Sequence, residues 1–103
     1  MDPTPGDGPQ HVRALDRANR VRSVRALVKR RIASGDLTAA AVILSHRWEI
    51  ERMPIAEVLT SQRRWGSGRC HEFLLDVTLP ESQTIGSMTE RQRRAVASQL
   101  LRN

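Results

Sequence analysis

Residues 11–35 read HVRALDRANRVRSVRALVKRRIASG, and this stretch decides the architecture. Val12, Leu15, Val21, Val24, Leu27, Val28 and Ile32 recur at steps dominated by three and four residues, the period of an α-helix. Between them stand Arg13, Arg17, Arg20, Arg22, Arg25, Lys29, Arg30 and Arg31, with Asp16 the one acid in the same span. A helix of about 24 residues runs about 36 Å. That is long for a chain of 103 residues. Apolar residues are sparse in its first half, which is expected to project beyond the core. Gly35 suits the left-handed conformation that ends many helices.

Working outward, Met1 to Gln10 holds three prolines, two glycines and two aspartates, the composition of a flexible tail. Downstream, Asp36 is placed to cap a second helix through Leu37, Ala40, Ala41, Val42 and Leu44. The polar stretch His46 to Arg52 follows, from which Trp48 and Ile50 are expected to reach back to the core. Pro54 suits the start of a third helix that buries Ile55, Val58 and Leu59. After the turn Arg63 to Arg69, the run Phe73, Leu74, Leu75 and Val77 fits a fourth helix, stopped at Leu79-Pro80. Residues 81–88 form another turn region. Thr89 and Gln92 match a capping box, so a last helix starts near Glu90 with Val96, Leu100 and Leu101 as its stripe. No segment shows the period-two alternation of a strand. The expected class is all-α, with one domain over residues 11–103.

Charge narrows the function. The net charge is +6, and of 17 basic residues all but Lys29 are arginine. A guanidinium grips phosphate through a planar fork of donors. Like charges spaced four apart destabilise an isolated helix, and an anionic partner relieves that strain. Cys70 has no second cysteine to pair with, and His11, His46 and His71 show no metal-ligand spacing. No cofactor or metal is expected. No apolar run is long enough to cross a membrane, and the N-terminus lacks a signal-peptide layout, so the cytoplasm is the expected location. Catalysis is not expected. Cys70 and Glu72 each sit one residue from His71 and point away from it on a helix, and nothing aligns Asp76 with Glu81.

Two turns carry the chemistry. In Trp65-Gly66-Ser67-Gly68-Arg69 the glycines let a ligand approach the backbone at a helix start. Free amides and the helix dipole there favour a phosphate. Arg63, Arg64 and Arg69 add charge. The second turn, Thr84 to Thr89, contains Gly86 and Ser87 and leads to Arg91 and Arg94. The third basic feature is the N-terminal helix, with Arg17, Arg20, Arg25 and Lys29. The two turns, with helices before, between and after them, make a recognisable unit.

These pieces, in this order, resemble the actinobacterial integration host factors, nucleoid-associated proteins of the mycobacterial type. The carrying segments are Arg25 to Ile32 with Gly35, Met53 to Leu59, Trp65 to Arg69, and Ile85 to Ala95. The resemblance implies a long N-terminal helix packed on a small helical body with a helix–two-turn–helix unit. It implies duplex DNA binding, DNA bending or compaction, and support of site-specific recombination. Gly66 and Arg69 fall where the family has its first-turn glycine and basic residue, and Gly86 where it has the second-turn glycine. The chain departs from the family at Ser61 to Arg64, in place of a Leu-Pro, and at Glu81 to Thr84, in place of a basic run. The expected partner is double-stranded DNA bound by a monomer, with no membrane. RNA or an acidic protein partner remains the alternative.

Overall fold

The structure is a computed structural model that describes residues 10–102. The expected tail, Met1 to Pro9, lies outside the described residues. Gln10, read as the last tail residue, opens the first helix instead. Five α-helices follow in order: α1 (Gln10–Ser34), α2 (Ala39–Leu44), α3 (Ile55–Thr60), α4 (Ser67–Asp76) and α5 (Glu90–Arg102). Short 3-10 turns at Trp48–Ile50 and Ile85–Ser87 separate α2 from α3 and α4 from α5. The all-α reading holds throughout the described residues. No described helix is long and apolar enough to cross a membrane.

The first helix has 25 residues and spans about 37 Å. Only its C-terminal half enters the core, through buried Val28 and Ile32 and the partly buried Val24. Every residue from His11 to Arg20 is exposed. Val12, Leu15 and Leu27 keep the helical period but do not pack, and Leu15 is 58 % exposed. The exposure of Val12 and Leu15 agrees with the expected projection of the first half beyond the core. Gly35 ends the helix at φ +85°, in the left-handed region.

The second helix starts later than expected. The Leu37 amide donates to the Arg31 carbonyl at 3.2 Å, so residues 35–37 are spent in closing α1. Thr38 therefore takes the cap that Asp36 was assigned, its hydroxyl accepting from the Ala41 amide at 3.1 Å. At the other end of α2, Arg93 of α5 is buried and donates from Nη1 to the carbonyls of Ile43 (3.1 Å) and Ser45 (2.8 Å). These are carbonyls that the helix end leaves without partners. The capping box of α5 is present: the Thr89 amide donates to Gln92 Oε1, and the Gln92 amide to the Thr89 hydroxyl.

One core joins all five helices. Its fully buried members include Ile43, Ile50, Met53, Ile55, Leu59, Leu74, Ile85 and Val96. Leu75 (65 % exposed) and Leu101 (77 %) lie outside it, since α4 and α5 each bury a single stripe. The segments 51–55 and 83–86 meet through an isolated antiparallel bridge between Pro54 and Thr84. Ile55 donates to the Gln83 carbonyl (2.8 Å), Ile85 to Met53 (3.0 Å) and Gly86 to Glu51 (2.7 Å). A Cβ on Gly86 would lie 2.9 Å from both the Cβ and the carbonyl oxygen of Glu51. Glycine is thus required there by packing.

Urea denaturation at neutral pH checks this account. Gly86→Ala is expected to destabilise by about 1–3 kcal/mol through overpacking. Gly66→Ala, whose Cβ meets nothing within 4 Å, should stay within about 0.5 kcal/mol of the parent. Arg93→Met should lose roughly 1–3 kcal/mol by stranding buried carbonyls.

Candidate nucleic-acid interface

The first turn gathers six of the expected site residues on one exposed surface: Arg63, Arg64, Gly66, Ser67, Gly68 and Arg69. The turn leaves α3 through Gln62, whose side chain donates to the Leu59 carbonyl at 3.0 Å. Arg64 then adopts φ +68°, a left-handed conformation that reverses the chain tightly. Gly66 sits at the cap of α4 with extended backbone and supplies no side-chain acceptor. The amides of Ser67, Gly68 and Arg69 therefore point out of the first turn of a ten-residue helix without a cap. A Cβ at Gly66 or Gly68 would meet nothing. The chain's own packing does not require glycine at either position, so a ligand has open access to the backbone.

Aromatic packing orients the charge. Trp65 is partly buried and meets Phe73 of the core edge-on, with ring centroids 5.5 Å apart. The Arg69 guanidinium lies 4.5 Å above the Trp65 ring. A cation–π contact of this kind holds a flexible arginine in one place. Among the described residues no acid pairs with Arg63, Arg64 or Arg69. Three exposed arginines thus bracket an uncapped helix N-terminus in one turn, a favourable setting for a phosphate.

The second turn differs. The amides of Ile85, Gly86, Ser87 and Met88 all donate within the chain, to Met53, Glu51, Thr84 and Ile85 respectively. The Ser87 hydroxyl is equally engaged, donating to the Thr84 carbonyl and accepting from the Gln83 amide and the Thr84 hydroxyl. Gly86 and Ser87 hold this turn together; they do not present free donors. Arg91 and Arg94 follow it on the exposed face of α5. His71 Nδ1 lies 3.1 Å from Glu81 Oε1 and ties α4 to the connector before this turn.

On α1 the expected cations serve different purposes. Arg20 and Arg47 both clasp the buried Glu49 carboxylate, at 3.2 and 3.1 Å. Lys29 reaches Glu57 of α3 at 3.5 Å. Arg17 lies 4.2 Å over the Trp48 ring. Trp48 is still 37 % exposed, so only Ile50 of that pair reaches the core as expected. Arg25 is half-buried, and its Nε has no hydrogen-bond partner. Glu49, Arg47 and Arg93 carry structural roles that the sequence alone did not reveal. Glu49 differs from the other acids only in its position between Trp48 and Ile50, which was the available signal. Cys70 is a buried filler whose thiol is pushed up by burial and by Glu81, away from thiolate reactivity.

A solved structure of sIHF bound to an 8bp palindromic DNA matches this chain with a TM-score of 0.73. The two are 21 % identical, and the match covers 82 % of this chain and 98 % of that one. No family model and no curated protein matches the chain. The all-helical fold is therefore shared with sIHF. The resemblance read from the sequence is met at the level of fold.

The Glu49 clamp has a pH signature. The Arg47 guanidinium holds its carboxyl below the usual carboxylate range, against burial and with help from Arg20. A depressed native pKa stabilises the fold fully above the unfolded-chain value of about 4.3. That stability is lost as pH falls through the native value. Urea titrations from about pH 3 to pH 7 should show a shallower acid limb for Glu49→Gln than for the parent.

Proposed function

We propose that this protein binds duplex DNA through its phosphates, chiefly at the first turn. The observation that carries the reading is the uncapped start of α4. There the Ser67, Gly68 and Arg69 amides open onto solvent between three arginines that no described acid pairs with. Amides fixed by a helix need no reorganisation to meet an anion, and the helix dipole adds attraction. Arg63, Arg64 and Arg69 form charge-assisted hydrogen bonds to adjacent phosphates. The fold shared with sIHF, a protein solved on DNA, supports the same reading.

Arg91 and Arg94 extend the contact from the second turn, while Gly86 and Ser87 keep that turn in shape. Arg17 and Arg25 on α1, with Arg20 and Lys29 partly neutralised by their acids, give a second and weaker basic surface. Two surfaces on one monomer favour a bent duplex over a straight one. Phosphate contacts carry no base information, so binding is largely independent of sequence, with a preference only for deformable steps. Such a protein belongs with the nucleoid in the cytoplasm, compacting DNA and supporting site-specific recombination, as the resemblance to the actinobacterial integration host factors implies.

Fluorescence anisotropy on a short random duplex, across a salt series, tests this. Affinity should fall steeply with salt, as counterion release requires. Arg63→Glu/Arg69→Glu should bind at least about tenfold more weakly, and its salt slope should be shallower by about 2. Arg64→Gly relieves a left-handed residue, which costs about 1–2 kcal/mol. It should leave the thermal midpoint unlowered while weakening binding, separating stability from recognition. Salt-sensitive binding kept by the double variant would move the site to α1. Absence of duplex binding at low salt would overturn the reading and direct attention to RNA or an acidic protein.

A further inference from the structure

A cleft of about 620 Å³ opens between the N-terminal half of α1 and the segment Trp48 to Arg52. Ala14, Ala18, Val21 and Trp48 supply its apolar lining. Arg17, Arg25 and Arg52 line it as well. Glu49 also borders the cleft, but its charge is already balanced by Arg20 and Arg47. With Arg22 also in the lining, four arginines then face one remaining acid, Glu51, and the cleft is net positive. Arg25 Nε is buried here without an acceptor. A buried donor left unsatisfied is unfavourable, and native proteins nearly always supply a partner.

Small apolar side chains, an exposed indole and an excess of guanidinium groups suit a ligand with a flat ring at one end and phosphate at the other. We propose that this cleft binds a nucleoside phosphate. Its phosphate takes Arg25 and Arg52, and its base stacks on the face of Trp48 that Arg17 now covers. A guanidinium and a nucleobase are interchangeable partners for an indole face, so the exchange frees Arg17 for the phosphate. The exposed Glu51 on the same rim supplies an acceptor for an exocyclic amino group. The site is separate from the first turn and shares no residue with it.

The test uses the full chain carrying Trp65→Phe, which leaves Trp48 as its only indole. It is titrated with ATP, with GTP, with inorganic triphosphate and with a short duplex. Saturable quenching of Trp48 by a nucleotide is expected, and weaker binding of triphosphate without quenching. Arg25→Met and Arg52→Met should each weaken nucleotide binding about tenfold. Thermal midpoints confirm folding, and exposed Arg52 serves if the Arg25 variant does not fold. Arg63→Glu/Arg69→Glu should bind nucleotide as the parent does, whatever it does to DNA. No saturable quenching by either nucleotide would overturn the proposal. Triphosphate binding as tightly as the nucleotides would reduce the cleft to a phosphate site and also overturn it. Duplex-induced quenching lost in Arg25→Met, without any nucleotide response, would assign the cleft to the DNA surface instead.

Discussion

Three backbone hydrogen bonds, between residues 51–55 and 83–86, place the second half of the molecule on the first. They are too few to make a sheet, yet they fix the second turn against the entry of α3. Beyond α4 the chain is also held by the core side chains Ile85, Met88 and Val96 and by Arg93, which reaches from α5 to the open end of α2. The approach is so close that residue 86 has no room for a Cβ. This packing explains why the two glycine-bearing turns differ in chemistry. The second turn spends its amides on the chain. The first leaves the amides of Ser67, Gly68 and Arg69 without a side-chain cap.

Electrostatics divides the molecule in a similar way. A basic chain folds only if its like charges are spread, paired or left in water. On α1 part of the charge is turned inward, onto Glu49 and Glu57, where it fastens the helix to the body. At the first turn no described acid pairs with the arginines, which stand beside amides without a side-chain cap. A conspicuous run of arginines is thus partly scaffold, while a short turn with fewer charges leaves its arginines unpaired with any described acid. Burial makes the difference: Glu49 is enclosed, so its cations are committed, whereas the 63–69 turn is open to solvent.

Much of this was legible in the sequence. The helical period of residues 12–32, the Gly35 stop, the Thr89/Gln92 capping box and the residues of the first turn all follow from local rules. Those rules act within one turn of chain, so they survive without tertiary knowledge. What was not legible depends on contacts distant in sequence. Leu75 and Leu101 fit the apolar stripes of their helices, yet both lie exposed outside the core. Gly86 resembles Gly66 as a turn glycine, yet one is demanded by the Glu51 backbone and the other is not. Arg93 sits among solvent-facing arginines, but helical phase turns it inward onto α2. Thr38 displaces Asp36 as a cap because closing α1 consumes the intervening residues.

The proposed phosphate contact lies at the backbone that starts α4. Amide chemical-shift mapping of the folded protein against a short random duplex at low salt tests it directly. The account predicts the largest perturbations at Ser67, Gly68 and Arg69, with the amides of residues 85–88 little changed because they are already bonded. Perturbations confined to residues 85–88, or to α1, would contradict it.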